Sequence, residues 1–228
     1  NTFEFIFLAG FIVGSVIRKV YTFRARGNKI AKKLSQKQKC HSERSEESHI
    51  LTNETLRSAH GDSFEIISKK RKGVVDIVLL NAAGVGLAAP LVYLLTSWLD
   101  FANYDLPVWL GWVGTAVFAA AILLLWRSHA DLGRNWSATL NVREGHTLVT
   151  GGVYRYMRHP MYAAHLLWAI AQGLLLENWL AGWLFLAFFV PLYLLRVPQE
   201  ERMMLENFGE QYRQYMSRTG RLIPRLRP

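Results

Sequence analysis

Apolar and polar residues along this chain fall into long blocks. Phe3 to Ile17 is an apolar run of about 15 residues, and the basic cluster Arg18, Lys19, Arg24, Arg26, Lys29, Lys32 and Lys33 follows it. A signal peptide has the opposite order. The run is short of the roughly 20 residues a membrane span needs, and the sequence opens on Asn1, so part of this first helix is expected to precede it. Val74 to Thr96 and Pro107 to Trp126 are two further runs of spanning length. The first is softened by Asp76 and Asn81, and it carries Ala82, Ala83, Gly84, Gly86, Ala88 and Ala89, small residues that let helices approach closely in lipid. Tyr162 to Leu176 and Trp179 to Val197 are separated only by Glu177 and Asn178, which predicts a helical hairpin with a tilted, short or re-entrant first arm. Beyond Gln199, Met204, Leu205, Phe208, Tyr212 and Tyr215 recur at three- and four-residue steps, the pattern of an amphipathic surface helix.

The pattern predicts an all-α integral membrane bundle of about five transmembrane helices, closed by a C-terminal amphipathic helix. Its parts are a first transmembrane helix (1–20), a basic insertion (21–73), the second and third spans (74–126) and a C-terminal region with the hairpin (127–228). The insertion includes the charged, small-residue stretch from Cys40 to His49, too poor in apolar residues to offset the entropy of ordering, and is expected to be disordered.

Charge assigns the sides. The chain has 228 residues, 51% of them hydrophobic, and a net charge of +10, so basic residues must be segregated from apolar ones. They flank the apolar runs and do not decorate a soluble fold, which argues against nucleic acid as a partner. With five spans, the basic segments 18–39, 67–72, 127–158 and 213–227 share one side and the acidic link from Ser97 to Leu106 lies on the other. The bias toward Lys and Arg predicts that the basic side, with the C-terminus, is cytoplasmic. One cysteine, Cys40, allows no internal disulfide, and no ligand set at metal spacing is present.

The densest chemistry lies from His146 to Tyr162, which holds two His, two Arg and three Tyr just ahead of an apolar helix. Gly151 and Gly152 allow unusual backbone angles, and Pro160 turns His159 out of helical conformation while opening the next helix. A loop entering a helix N-terminus follows. A second cluster, Arg196, Glu200 and Glu201, closes the fifth run; in a continuous helix Arg196 and Glu200 would share a face, but Pro198 is expected to interrupt that helix or begin a new one. Taken alone, this cluster reads more readily as a plain ion pair or a snorkelling anchor than as a functional group.

Together, His146 to Thr150, Gly152-Val153-Tyr154, Arg158 to Tyr162, Glu200-Glu201 and Phe208 to Tyr212 with Tyr215 resemble the isoprenylcysteine carboxyl methyltransferase family, related to the phospholipid N-methyltransferases. The resemblance covers about residues 129–225. It implies a cytoplasmic loop that binds S-adenosylmethionine, lined by His146, Thr147, Leu148, Val149, Tyr154, His159, Pro160, Met161, Tyr162 and Glu200. It also implies that Arg196 faces the acceptor and that Arg196 and Glu200 carry catalysis. The activity implied is methylation of the carboxylate of an isoprenylcysteine-like or other lipophilic acceptor at a lipid bilayer. Methylation of a phospholipid amine is the alternative. A membrane reductase and a non-catalytic scaffold or transporter are the readings of another class; transport sites usually form at the bilayer midplane, whereas the polar clusters here lie at a span boundary.

Overall fold

A computed structural model describes residues 2–46, 68–69, 74–133, 141–142 and 148–225, with side chains placed in 2–24, 74–133 and 148–225. Five long helices are described: α1 Thr2–Glu46, α2 Val74–Leu95, α3 Val108–Leu132, α4 Pro160–Leu176 and α5 Trp179–Arg218. A two-residue antiparallel pair, β1 (Ser68–Lys69) with β2 (Asn141–Val142), joins the segment before α2 to the one after α3.

Of the described helices, α2, α3 and α5 are long and apolar enough to cross a membrane, while α4 is a shorter apolar helix. The protein is an integral membrane protein. Contacts place the helices in alternating directions. Phe3 of α1 meets Trp112 near the start of α3, with ring centroids 5.6 Å apart, and Tyr21 reaches His129 near the end of α3 at 5.4 Å, so α1 and α3 run side by side. α4 returns along α3, and α5 returns along α2. The 17 residues of α4 reach about 25 Å at 1.5 Å per residue, so the hairpin's first arm crosses the bundle and does not re-enter.

Aromatic stacking builds the core. Phe7 lies flat on Phe118 at 5.3 Å, and Trp168 meets Phe118 edge-on at 4.9 Å, arrangements that aromatic rings prefer. The small face of α2 does what its composition suggests. A Cβ on Gly86 would lie 2.6 Å from the backbone of Phe185, so only glycine lets α2 and α5 close to this distance. Gln172, fully buried, donates to the carbonyls of Gly86 at 3.2 Å and Ala181 at 2.6 Å and ties α4 to both helices.

At the acidic end, Asn178 closes the hairpin. Its side-chain oxygen accepts from the amides of Leu180 and Ala181, capping α5, and its nitrogen donates to the carbonyl of Leu99 at 2.6 Å and to Asn103 at 2.7 Å. Glu177 takes a left-handed conformation beside it. Burial, and then the charges of Asp105 and Glu4, push the Glu177 carboxyl up, so the acidic side chains of the two links and of α1 gather at this end. Trp98, Trp109 and Trp179 are exposed there, as membrane-interface aromatics are.

Two expectations are corrected. The insertion expected to be disordered is helical as far as Glu46. Between residues 22 and 46 there is no proline, and Ala, Lys, Arg, Gln, Leu and Glu dominate, so intrinsic propensity sustains a helix without an apolar face. Residues 47–67 lie outside the described residues. Pro198, expected to end a helix or start one, lies inside α5, as does Pro191. The carbonyl deprived of its donor belongs to Leu194, which is exposed, where the loss costs least. The true break is Gly209, with φ of 51°, a conformation glycine adopts without a steric penalty. It redirects the last turns of α5, so that Tyr212 and Tyr215 are buried against the loop before α4.

Candidate active site

A 3-10 turn, Gly152–Arg155, leads into α4 at the basic end of the bundle. Asp131, in the last turn of α3, holds this turn by accepting from the Val153 amide at 2.8 Å, while Arg127 pairs with Asp131 at 2.8 Å. Gly152 has φ of 60°, and a Cβ there would collide with the Asp131 carboxylate. Gly152→Ala is therefore expected to lower the melting temperature in detergent and release the turn, whereas Gly151→Ala, where a Cβ meets nothing within 4 Å, is expected to leave it unchanged.

Tyr154 is buried below the turn. Its hydroxyl donates to the Ser128 carbonyl at 3.3 Å, and its own carbonyl accepts from the Tyr215 hydroxyl at 2.6 Å. Burial pushes the Tyr154 phenol well above the usual tyrosine range, keeping it a neutral donor. The chain after α5 then runs back alongside Tyr156 to His159. The amides of Arg158 and His159 donate to the carbonyls of Gly220 and Arg221, and the amides of Gly220 and Arg225 donate to the Tyr156 carbonyl.

Glu201 anchors this assembly. It is 4% exposed and meets three nitrogen-bearing side chains: Arg158 Nε at 2.9 Å, Arg221 at 2.5 Å and His159 Nε2 at 3.3 Å. Arg158 also donates to the Thr219 carbonyl at 2.5 Å and the Met216 carbonyl at 3.0 Å. The hydrogen bond to Glu201 raises the Arg221 guanidinium above its usual range.

The adjacent carboxylate, Glu200, is in a different setting. One oxygen accepts from the Tyr162 hydroxyl at 2.5 Å, while the other lies 3.8 Å from His159 Nδ1, beyond hydrogen-bonding distance. The His159 ring therefore lies between two carboxylates, at the N-cap of α4 with Pro160 behind it. Glu200 keeps a carboxylate oxygen free to accept from a ligand, and its side chain retains 20% exposure.

Arg196 lies one turn before Glu200 on α5. Its Nε is 3.1 Å from Asp76 Oδ1, in the first turn of α2. The pair is close but poorly aligned: Arg196 Nε and both Asp76 oxygens are buried without a hydrogen bond. Burying both charges is costly unless further partners complete their bonds.

Of the residues expected at the site, His159, Tyr162, Glu200 and Arg196 converge, with Pro160 buried and Met161 half-buried beside them. Leu148 and Val149 are half-buried in the approach to the turn. His146 and Thr147 lie outside the described residues. Sequence reasoning assigned no role to Asp76 or Arg221, and it placed Arg158 and Glu201 in the motifs without pairing them. Arg158 and Glu201 are 43 positions apart and Asp76 and Arg196 are 120 apart, so no local periodicity links them.

Residues 112–206 match the model of the isoprenylcysteine carboxyl methyltransferase family. Over that stretch the chain is similar to this family. It is 34% identical over 112 residues to protein-S-isoprenylcysteine O-methyltransferase A of Arabidopsis thaliana, covering 49% of this chain and 54% of the relative. With the protein-S-isoprenylcysteine O-methyltransferase of Tribolium castaneum it shares 30% identity over 178 residues, 71% of this chain and 59% of the relative. The chain thus spans a little over half the length of these curated relatives. A solved structure of the eukaryotic intramembrane Ras methyltransferase ICMT aligns with 66% of this chain and 51% of its own, at a TM-score of 0.43 and 23% identity. The matched family region contains His159, Tyr162, Arg196, Glu200 and Glu201, so the family resemblance and the polar convergence fall on the same residues.

Proposed function

We propose that the chain is an S-adenosylmethionine-dependent methyltransferase that esterifies the carboxylate of an isoprenylcysteine-like, lipophilic acceptor, with the basic end of the bundle and the C-terminus facing the cytosol. The observation that carries this reading is the convergence of Tyr162, His159, Glu200 and Arg196 at one helix boundary inside the family region. The residues present fit the cofactor: the free oxygen of Glu200 offers an acceptor for its hydroxyl or ammonium donors, and Leu148, Val149, Pro160 and Met161 offer apolar wall.

When bound, S-adenosylmethionine supplies a methyl group already activated by its sulfonium. The protein then needs alignment and dryness more than a strong base. A carboxylate acceptor is ionised at neutral pH, so no proton must be removed. The Arg196 guanidinium, tethered through Nε by Asp76, turns its terminal nitrogens to that carboxylate and orients it. Tyr162, donating to Glu200, holds the Glu200 side chain in the rotamer that presents its second oxygen. His159, between Glu200 and Glu201, links this cofactor contact to the Arg158 and Arg221 anchor.

The test is calorimetry in detergent with S-adenosylhomocysteine. Wild-type protein is expected to bind it, and Glu200→Gln to weaken binding by about tenfold to a hundredfold, the worth of a hydrogen bond to a charged group. Absence of binding to the wild type would remove the methyltransferase reading, and equal binding by both would remove Glu200 from the cofactor site.

A further inference from the structure

A cavity lined by neither Glu200 nor Arg196 opens between the first four helices. It has a volume of about 510 Å³, within the roughly 300–1,000 Å³ of small-molecule sites. Phe11 and Gly14 of α1, Leu87 of α2, Leu125 of α3 and Trp168 of α4 form its apolar walls, and Arg18 and Lys19 stand over one end. None of the converging site residues lines it.

Three features define an occupant. Arg18 and Lys19 are exposed and form no ion pair among the described residues, so two positive charges are available at the mouth. Ile12, Val13, Val16 and Val20 are exposed on the same helix, so beside the cavity α1 presents apolar side chains to its surroundings. The cations and the apolar wall are offset along α1: Arg18 is four residues beyond Gly14, or about 6 Å along the axis. A soluble anion would satisfy the cations and leave the apolar walls uncovered. A neutral lipid would fill the walls and leave the cations unpaired.

We propose that this cavity binds an anionic glycerophospholipid of the bilayer, with an acyl chain against Phe11, Leu87 and Trp168 and the phosphate on Arg18 and Lys19. The site is separate from the proposed methyl-transfer site and stands whether or not that reading holds. Its charges lie at the basic end of α1, the level at which a headgroup meets the protein when chains fill the space between helices.

Native mass spectrometry of the detergent-solubilised full chain, titrated with phosphatidylglycerol, phosphatidylcholine of the same chains and glycerol 3-phosphate, tests this. One phosphatidylglycerol is expected to be retained at least tenfold more tightly than phosphatidylcholine, and glycerol 3-phosphate not at all. The double variant Arg18→Gln, Lys19→Gln is expected to lose tenfold to thirtyfold in affinity, the worth of two basic residues at an anionic surface. Leu87→Trp, which fills the cavity and keeps both charges, is expected to lose the lipid as well. Undiminished retention by either variant, equal retention of phosphatidylcholine, or binding of glycerol 3-phosphate alone overturns the proposal. So does displacement of the lipid by a prenylcysteine analogue, which would give the cavity to the methyl acceptor.

Discussion

Glu201→Gln is expected to destabilise the protein by about 3–5 kcal/mol, the usual cost of breaking a buried ion pair from one side. The reason is Arg158, whose side chain is 9% exposed. Its Nε would face a neutral amide while its charge stayed buried, and the carbonyls of Thr219 and Met216 compensate only in part. Arg221 contributes less, because its side chain is 47% exposed and exposed ion pairs are worth about 0–1 kcal/mol. Thermal unfolding in detergent reads the main effect. Limited trypsin digestion reads its location, since cleavage after Arg218 and Arg221 should speed up before the rest of the chain opens. Arg221→Gln, by contrast, should move the melting temperature little. A melting temperature unchanged by Glu201→Gln would mean that the tail docks through backbone hydrogen bonds alone.

The second large effect concerns acceptor use. Arg196→Ala is expected to lower kcat/KM for a carboxylate acceptor by about a hundredfold while leaving S-adenosylhomocysteine affinity within twofold, as expected for loss of a charge-assisted, two-pronged contact. Asp76→Asn should raise the acceptor KM by about tenfold and change kcat little, because Asp76 touches Arg196 and not the acceptor. Restoring the charge with Asp76→Glu should recover part of the loss. Equal kinetics in wild type and Asp76→Asn would show that Arg196 is positioned without its buried partner, and equal kinetics in wild type and Arg196→Ala would make Arg196 a boundary anchor.

These predictions use contacts that the chain's pattern did not display. Block hydropathy was enough to place α2, α3 and the hairpin arms, because burial in lipid demands contiguous apolar residues. Pro160 and the Glu177-Asn178 break were equally legible, since helix entry and a two-residue reversal are local events. The continuation of α1 to Glu46 was not legible, because a helix carried by propensity has no face to read. Pro198 misled for the opposite reason: a strong local signal was overridden where the orphaned carbonyl lay at an exposed position. At the site, the residues of the motif before α4 and of the Glu200 segment were found together through resemblance. Their actual wiring, with Glu201 as anchor and Asp76 as the partner of Arg196, depends on helices meeting across the bundle. Glu200 and Glu201 hid this best, since these neighbours in sequence serve different partners in space, Tyr162 for the first and Arg158 with Arg221 for the second.

The most direct test of the central claim is transfer of methyl-labelled S-adenosylmethionine to a prenylcysteine analogue, with phosphatidylethanolamine present, by the full chain in lipid vesicles. The account predicts label in the prenylcysteine product, released as methanol by mild base because a methyl ester is hydrolysed under those conditions. Base-stable label on phosphatidylethanolamine, or no transfer at all, would contradict it.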